Sequence, residues 1–326
     1  MSSPFWKKNW FTIGLVGVTL LTIVDGPGIT TTPALWLKAR HATDVIIVLI
    51  FFFSGLAVNA SQIRAGIADY PGTLLALLLI FIVAPLLALA ITLVPLPTGV
   101  VLGLFLVAAM PTTLSSGVVM TARAGGNMAH ALLITIIANS LAVLTIPITL
   151  DLLLATAGES REIAIDRLPI MIQIATLVLL PLLAGMITRN RGDRLVRPLM
   201  PYLAILNQSG ILLVVWMAAA AGRQTIVAAL DAILPVLLTV SILHIALVLA
   251  ALLLTRLAGY GKGRRESVIL MGGQKTLAIS VVLQVSLFPE YGLALVVCMA
   301  HHIIHLLMDA FLVDYLQRSA PVEPSR

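Results

Sequence analysis

Ten apolar runs, divided by short interruptions rich in Pro, Gly and charge, leave this chain few ways to fold. They cover 10–24, 44–59, 72–94, 99–124, 128–150, 168–188, 202–221, 227–255, 267–288 and 291–313. A helix crosses a bilayer with roughly 20 predominantly apolar residues, and each run stops at breakers or charges. The pattern predicts an all-α polytopic membrane protein with ten transmembrane helices. Composition excludes a soluble fold, because only 10% of the 326 residues are charged and mean hydropathy is +1.08, whereas soluble domains carry about 25% charge. Ten spans of about 22 residues leave roughly ten residues for each connection or tail. That remainder is too small for a catalytic domain.

The polar residues between the runs report orientation. Fourteen of the 20 Lys and Arg residues fall in the tails and even-numbered connections, five fall in odd-numbered connections, and Lys275 lies inside the ninth run. Positive residues accumulate on the cytoplasmic side, so both termini are expected in the cytoplasm, with the chain in the cell inner membrane. Lys7 and Lys8 before an apolar run superficially resemble a secretory signal. No small-x-small cleavage site follows, and Asp25-Gly26-Pro27 ends the run, so it is read as a retained first span. The net charge of +6 is thus an orientation signal, and nucleic acid is not an expected partner. Cys298 is the single cysteine and lies in an apolar run, which excludes a disulfide framework or a Cys-rich metal site.

An internal offset of 163 residues lays the third, fourth and fifth runs on the eighth, ninth and tenth. It superimposes 113–120 on 276–283, with Thr113 on Thr276 and Leu114 on Leu277. The expected halves are 1–160 and 161–326, each with five spans. An odd number of crossings inverts the second half, giving two inverted five-helix repeats as in many secondary transporters. Any ten-span chain with short loops shows some offset agreement, which is the competing explanation.

Inverted-repeat transporters bind substrate where paired helices are interrupted. Runs four and nine are the interrupted pair. Run four holds Pro111-Thr112-Thr113-Leu114-Ser115-Ser116-Gly117; run nine holds Gly272-Gly273-Gln274-Lys275-Thr276. Pro111 lacks an amide donor, the hydroxyls can satisfy freed backbone groups, and paired glycines allow unwinding. A lysine near mid-membrane costs several kcal/mol unless paired or hydrated. Lys275 therefore either serves a site or braces the unwound segment through carbonyls of Thr112 or Ser115. His301, His305 and Asp309 recur at four-residue spacing on one helical face, with His302 beside them. They form either a proton path or ordinary interhelical hydrogen bonds, with Asp309 at the headgroup level in the second case. His244 and Asn207-Gln208-Ser209 either line the same cavity or make interhelical contacts.

Enzymatic readings find little support, since the chain has no GxSxG, no HExxH and no pair of Asp residues at matching depth. Ser115 with His301 as nucleophile and base is a weak combination of common residues. Rings of like charge or repeated filter loops, as a channel would use, are not visible.

Ile50 to Val58 with its Phe51-Phe52-Phe53-Ser54-Gly55-Leu56 core, the Pro111–Asn127 segment, and Gly273-Gln274-Lys275-Thr276-Leu277-Ala278 resemble the bile acid/sodium symporter family. They are most similar to its branch containing the vertebrate member seven of solute-carrier family ten and related bacterial and fungal proteins. The resemblance implies a panel domain of spans one, two, six and seven, and a core domain of spans three to five and eight to ten. Discontinuous helices four and nine would cross at their unwound centres, with alternating access. Together with the breaks and intramembrane polar groups above, it gives substrate- or ion-binding candidates at Pro111, Thr112, Thr113, Ser115, Ser116, Asn127, Thr135, Asn139, Gln274, Lys275, Thr276 and His301. Carried over by position, the sodium ligands fall on Ser115, Ser116 and Thr135 or its neighbour Asn139, while the proton path of His305 and Asp309 rests on the helical spacing alone. The family's helix-nine Glu falls near Leu270, its helix-three Gln near Ile80, and the Asn after its helix-nine Gln near Lys275. Repulsion between an ammonium and sodium 4 Å apart is about 4 kcal/mol at an effective dielectric of 20.

The resulting expectation is a secondary active transporter of a small organic anion, in which Lys275 replaces one coupling cation and the anion sits between it and the half-helix ends. Proton coupling through Lys275 and the His301 face, and a regulatory membrane protein affecting calcium entry, are the alternatives. Sodium is the one ion implied as a cofactor; the lipid bilayer and the organic anion are the partners. Substrate identity and oligomeric state are not legible.

Overall fold

The computed structural model describes residues 5–58, 69–113, 116–158, 166–228 and 230–318. Leu114 and Ser115, the expected boundary between residues 160 and 161, the end of the second run, and Arg64, Arg161 and Arg326 lie outside the described residues. Every regular element among the described residues is a helix. We number the longer ones α1 (Phe5–Val24), α2 (Thr31–Lys38), α3 (Ala42–Leu56), α4 (Tyr70–Ile91), α5 (Thr98–Ala109), α6 (Ser116–Arg123) and α7 (Met128–Ala157). They continue with α8 (Arg167–Arg191), α9 (Leu203–Ala228), α10 (Ile233–Leu257), α11 (Arg265–Gly273), α12 (Leu277–Leu287) and α13 (Gly292–Arg318).

Among the described residues, seven helical segments are long and apolar enough to cross a membrane, or eight when α2 and α3, bent by 78° at their junction, count as one span. The apolar stretches Trp10–Val24 and Thr98–Ala109 are shorter. Each of the ten runs overlaps a helix or a broken pair, but several boundaries differ. The second run extends back through the bent α2–α3 pair. The fifth continues past Pro147 to Ala157, and the eighth begins at Ile233, after a short 3-10 turn, Leu230–Ala232, that contains Asp231.

Two sets of packed helices emerge. α3 packs on α8 and α9, while α1 and α2 also pack on α9. The Gly55–Gly185 contact explains the glycine of the Phe-rich motif. A Cβ at Gly55 would sit 2.1 Å from the Leu182 carbonyl oxygen, and one at Gly185 2.1 Å from that of Phe52. A second apolar cluster joins α4, α7, α10 and α11, and α13 packs against α5, α10 and α12. The connections also meet one another. Arg264 donates to Asp69 at 2.6 and 2.7 Å, Asn127 N donates to Gly263 O at 2.9 Å, and elsewhere Arg223 donates to Thr22 O at 3.1 Å.

α4 contains a π-turn, Leu79–Val83, immediately before Pro85. Ala84 N donates to Leu79 O, one residue further back than in an α-helix. The next donor in that register would be Pro85, which has no N–H. The Ile80 carbonyl is thereby left for another partner.

Candidate functional site

Both expected interruptions are present. After α5 the chain is extended at Met110 (φ −71°, ψ 147°), and after α11 it is extended at Gln274 (φ −82°, ψ 147°) and Thr276 (φ −74°, ψ 130°). Thr276 N donates to Pro111 O at 2.9 Å, so the two breaks are hydrogen-bonded to each other. A proline that cannot donate and a residue beyond two glycines thus satisfy part of each other's freed backbone.

Lys275 sits at this junction, 2% exposed. Its Nζ donates to Ile80 O at 2.7 Å, Ala108 O at 2.9 Å and Met110 O at 2.9 Å. An ammonium has three donors, and all three are used. The brace anticipated from Thr112 or Ser115 comes instead from the π-turn of α4 and the frayed end of α5. No sequence pattern announces the Ile80 contact, although Pro85 inside an apolar run was its only local signal.

Gln274 is the second hub. Its Oε1 accepts from Thr113 Oγ1 at 2.6 Å and Ser116 Oγ at 3.1 Å, and its Nε2 donates to Asp309 Oδ2 at 2.8 Å. Thr113 Oγ1 also accepts from Gly117 N at 3.1 Å, capping α6. Asp309 Oδ1 lies 3.0 Å from His244 Nε2, both groups buried. Asp309 is thus inside the helix packing, 1% exposed, and not at the headgroup level that one of the two alternatives gave it.

A cavity of about 300 Å³ opens beside the breaks. One wall is Phe11 and Thr12 of α1, Ile50, Phe51 and Ser54 of α3, and Asn207, Gln208 and Ile211 of α9. The other wall is Thr112, Thr113, Ser116, Asn139, Thr276, Leu277 and Ala278, with His302 and Arg123 also in the lining. Asn207 Nδ2 donates to Ser54 Oγ at 3.1 Å, which fixes the polar part of the first wall. Thr112 Oγ1 is buried without a hydrogen-bond partner among the described residues.

The remaining expected site residues divide clearly. Pro111 shapes the break, and Asn139 Nδ2 donates to Thr135 O at 2.9 Å and reaches Thr112 O at 3.4 Å. Thr135 turns its hydroxyl to Ala131 O in its own helix, at 2.9 Å. Asn127 caps α7 by accepting from His130 N at 3.1 Å, and it is not part of the cavity wall. Ser115 lies outside the described residues. His301 and His305 are buried beside His244. Arg123 and the apolar wall of α1 and α3 were not anticipated as lining; only their sequence neighbourhood near the motifs pointed there.

Residues 9–318 match the family described as SBF-like CPA transporters. The chain belongs to that family. Its members are transporters rather than enzymes. The chain is 31% identical over 280 residues to a probable chloroplastic sodium/metabolite cotransporter of Arabidopsis thaliana, a match covering 81% of this chain and 64% of the plant protein. It therefore spans less than two thirds of that relative's length. An uncharacterised protein of Pseudomonas aeruginosa is 31% identical over 328 residues, covering 98% of this chain and 96% of the relative. Sodium/bile acid cotransporter 7 of Xenopus tropicalis is 26% identical over 192 residues, with 56% of this chain and 53% of the relative covered. This SBF-like chain is a membrane protein with several apolar spans.

Proposed function

We propose that this chain is a secondary active transporter that moves a small organic anion by alternating access, with the Lys275 ammonium standing in for one coupling cation. The observation that carries this reading is the pair of extended breaks, joined from Thr276 N to Pro111 O and opening onto the cavity. Three carbonyl oxygens at 2.7–2.9 Å around Nζ are the kind of oxygen cage that also suits a bare cation. The anion occupies the cavity rather than the ammonium itself, whose donors are spent. There it faces the N-terminal ends of α6 and α12, where helix dipoles favour negative charge, with Arg123 in the lining. Phe11, Ile50 and Phe51 suit its organic part.

Ten spans, arranged as inverted repeats 1–160 and 161–326, complete the reading. In it, α1, α3, α8 and α9 belong to the panel and the broken helices to the core. The hydrogen bonds between connections support that count. The second, fourth and eighth connections contact one another through Asp69, Asn127, Gly263 and Arg264, as same-side loops would. Arg223 of the seventh connection contacts the end of α1, the start of the first. Both termini are then cytoplasmic, in the cell inner membrane. Sodium coupling at a remaining site through Ser115, Ser116 and Thr135 is part of the proposal, prompted by the relatives' names.

Lys275→Ala and Lys275→Glu test it. A screen of organic anions by thermal shift, with sodium, lithium and pH varied, first identifies a stabilising ligand. Vacating the cage is expected to destabilise the protein by a few kcal/mol, because buried carbonyls lose their donors. Sodium is expected to restore stability in the variants more than it stabilises the parent. Unchanged uptake with unchanged sodium dependence in both variants would sink the proposal.

A further inference from the structure

Four histidines form a buried cluster that the reading above leaves without a task. His301, His302 and His305 come from α13 and His244 from α10, each at most 5% exposed. Ring centroids lie 4.6 Å apart for His302–His305, 5.3 Å for His301–His305, and 5.8 Å from His244 to both His301 and His305. Five ring nitrogens have no hydrogen-bond partner among the described residues: Nδ1 of His244, Nε2 of His301, Nδ1 of His302, and both nitrogens of His305. Buried polar atoms are normally satisfied, and a concentration of unsatisfied ones calls for an explanation, of which uptake of an ion is one.

The cluster is connected at both ends. His302 lines the cavity, with its ring edge-on to Phe11 at 5.9 Å, and lies against the Lys275 backbone. His244 meets Asp309, which accepts from Gln274, and Gln274 accepts from Thr113 and Ser116 on the other broken helix. A polar track therefore runs from the cavity wall through imidazoles to the side chain that ties the two half-helices together.

We propose that this cluster is an exchangeable proton-binding site whose occupancy is transmitted through Asp309 and Gln274 to the crossing. The inference rests on the transporter reading and deepens it by adding a proton, with its own seat, to the sodium coupling proposed there. The proton enters from water in the cavity at His302, passes to His305 and adds to the free nitrogen of His244. With Asp309 ionised, His244 Nε2 donates to it and Nδ1 is the vacant lone pair; protonation makes an imidazolium–carboxylate pair. That pairing draws Asp309 toward His244 and weakens its hold on the Gln274 amide. The proton leaves by the reverse transfer once the cavity faces the other side.

The charged groups facing the cluster are few. Asp309 is its carboxylate and Lys275, from the break, its neighbouring cation. Arg123 on α6 is also in the cavity lining. α5 and α12, packed on α13, carry no titratable residue, and the Arg223 of α9 is engaged with Thr22 O. α1 presents Phe11.

The full chain in lipid nanodiscs, with ¹⁵N-labelled histidine, tests the proposal without any anion. Ring ¹⁵N shifts are expected to show at least one cluster imidazole converting to imidazolium between pH 8 and 5, lost in His244→Gln and in Asp309→Asn. An Ala204→Cys variant, altered in the cavity lining, is then labelled with a maleimide at both pH values and corrected against a free thiol. Its labelling rate is expected to change at least threefold in the parent and to be level in Asp309→Asn. The proposal is overturned if all four rings stay neutral throughout, or if rings titrate while labelling does not respond. It is also overturned if the purified chain retains a stoichiometric transition metal that His305→Gln releases. Failure of the transporter reading appears separately, as no anion stabilising or entering vesicles.

Discussion

At the scale of single residues, the crossing depends on small distances that the sequence does not display. Gly117 is an example. A Cβ there would sit 2.8 Å from Met271 Sδ and 3.0 Å from Gln274 Oε1, so the glycine is what lets the amide reach Thr113 and Ser116. Met271 can move aside, but Gln274 is held on three sides. Gly117→Ala is therefore expected to destabilise the protein by about 1–3 kcal/mol, as overpacking does, and to weaken anion stabilisation. Thermal unfolding with and without the anion measures both, and an unaltered anion shift would show that Gln274 does not organise the cavity. Gln274 and Lys275 were legible in the sequence because polar groups amid apolar runs need partners. Their partners were not, since Ile80 and Ala108 lie 195 and 167 residues away from Lys275 along the chain. Only the folded register brings them together.

At the scale of helices, breaks proved easier to read than ends. The Pro111 and Gly272–Gly273 interruptions were read from missing donors and side chains; the chain is extended at Met110 and, just past glycines that stay helical, at Gln274 and Thr276. The bend between α2 and α3 was missed, because Ala39 to His41 lacks the proline or paired glycines that usually mark one; His41 takes a left-handed φ of 59° instead. The π-turn of α4 was also missed, yet it supplies a ligand carbonyl to Lys275. Pro85→Ala tests that link. A new N–H at position 85 competes for the Ile80 carbonyl, so the regained helix bond and the weakened ammonium contact, each about 1 kcal/mol, nearly cancel in stability. The expected signature is faster reaction of Lys275 with an amine-directed reagent while the melting temperature stays within a few degrees of the parent. Equal reactivity would mean that the carbonyl is held in place by something other than the missing donor.

For the whole molecule, run lengths and charge asymmetry were enough to anticipate a helical membrane protein, whereas the cavity between two sets of helices required the packing itself. The contacts among distant connections bear on how that packing is held. Asp69 caps α4 by accepting from Gly72 N at 2.9 Å and takes two bonds from Arg264, whose guanidinium lies 3.7 Å over the Tyr260 ring. Burial pushes the Asp69 carboxyl upward, but the Arg264 bonds and the Gly72 amide outweigh it and hold it below the usual carboxylate range. A carboxylate with a depressed folded value contributes stability that is complete above the unfolded value of about 3.9 and disappears as pH falls through the folded one. Acidification below about pH 4 is therefore expected to lower the melting temperature of the parent, and Asp69→Asn to start lower and lose less over the same interval. Because Asp69 and Arg264 belong to connections nearly two hundred residues apart, releasing them should loosen α4 against α11, where Leu79 meets Gly272. Hydrogen exchange in those two helices should rise together in the variant at neutral pH. Exchange rising in one helix alone would mean that the ion pair secures a loop rather than the seam beneath the crossing.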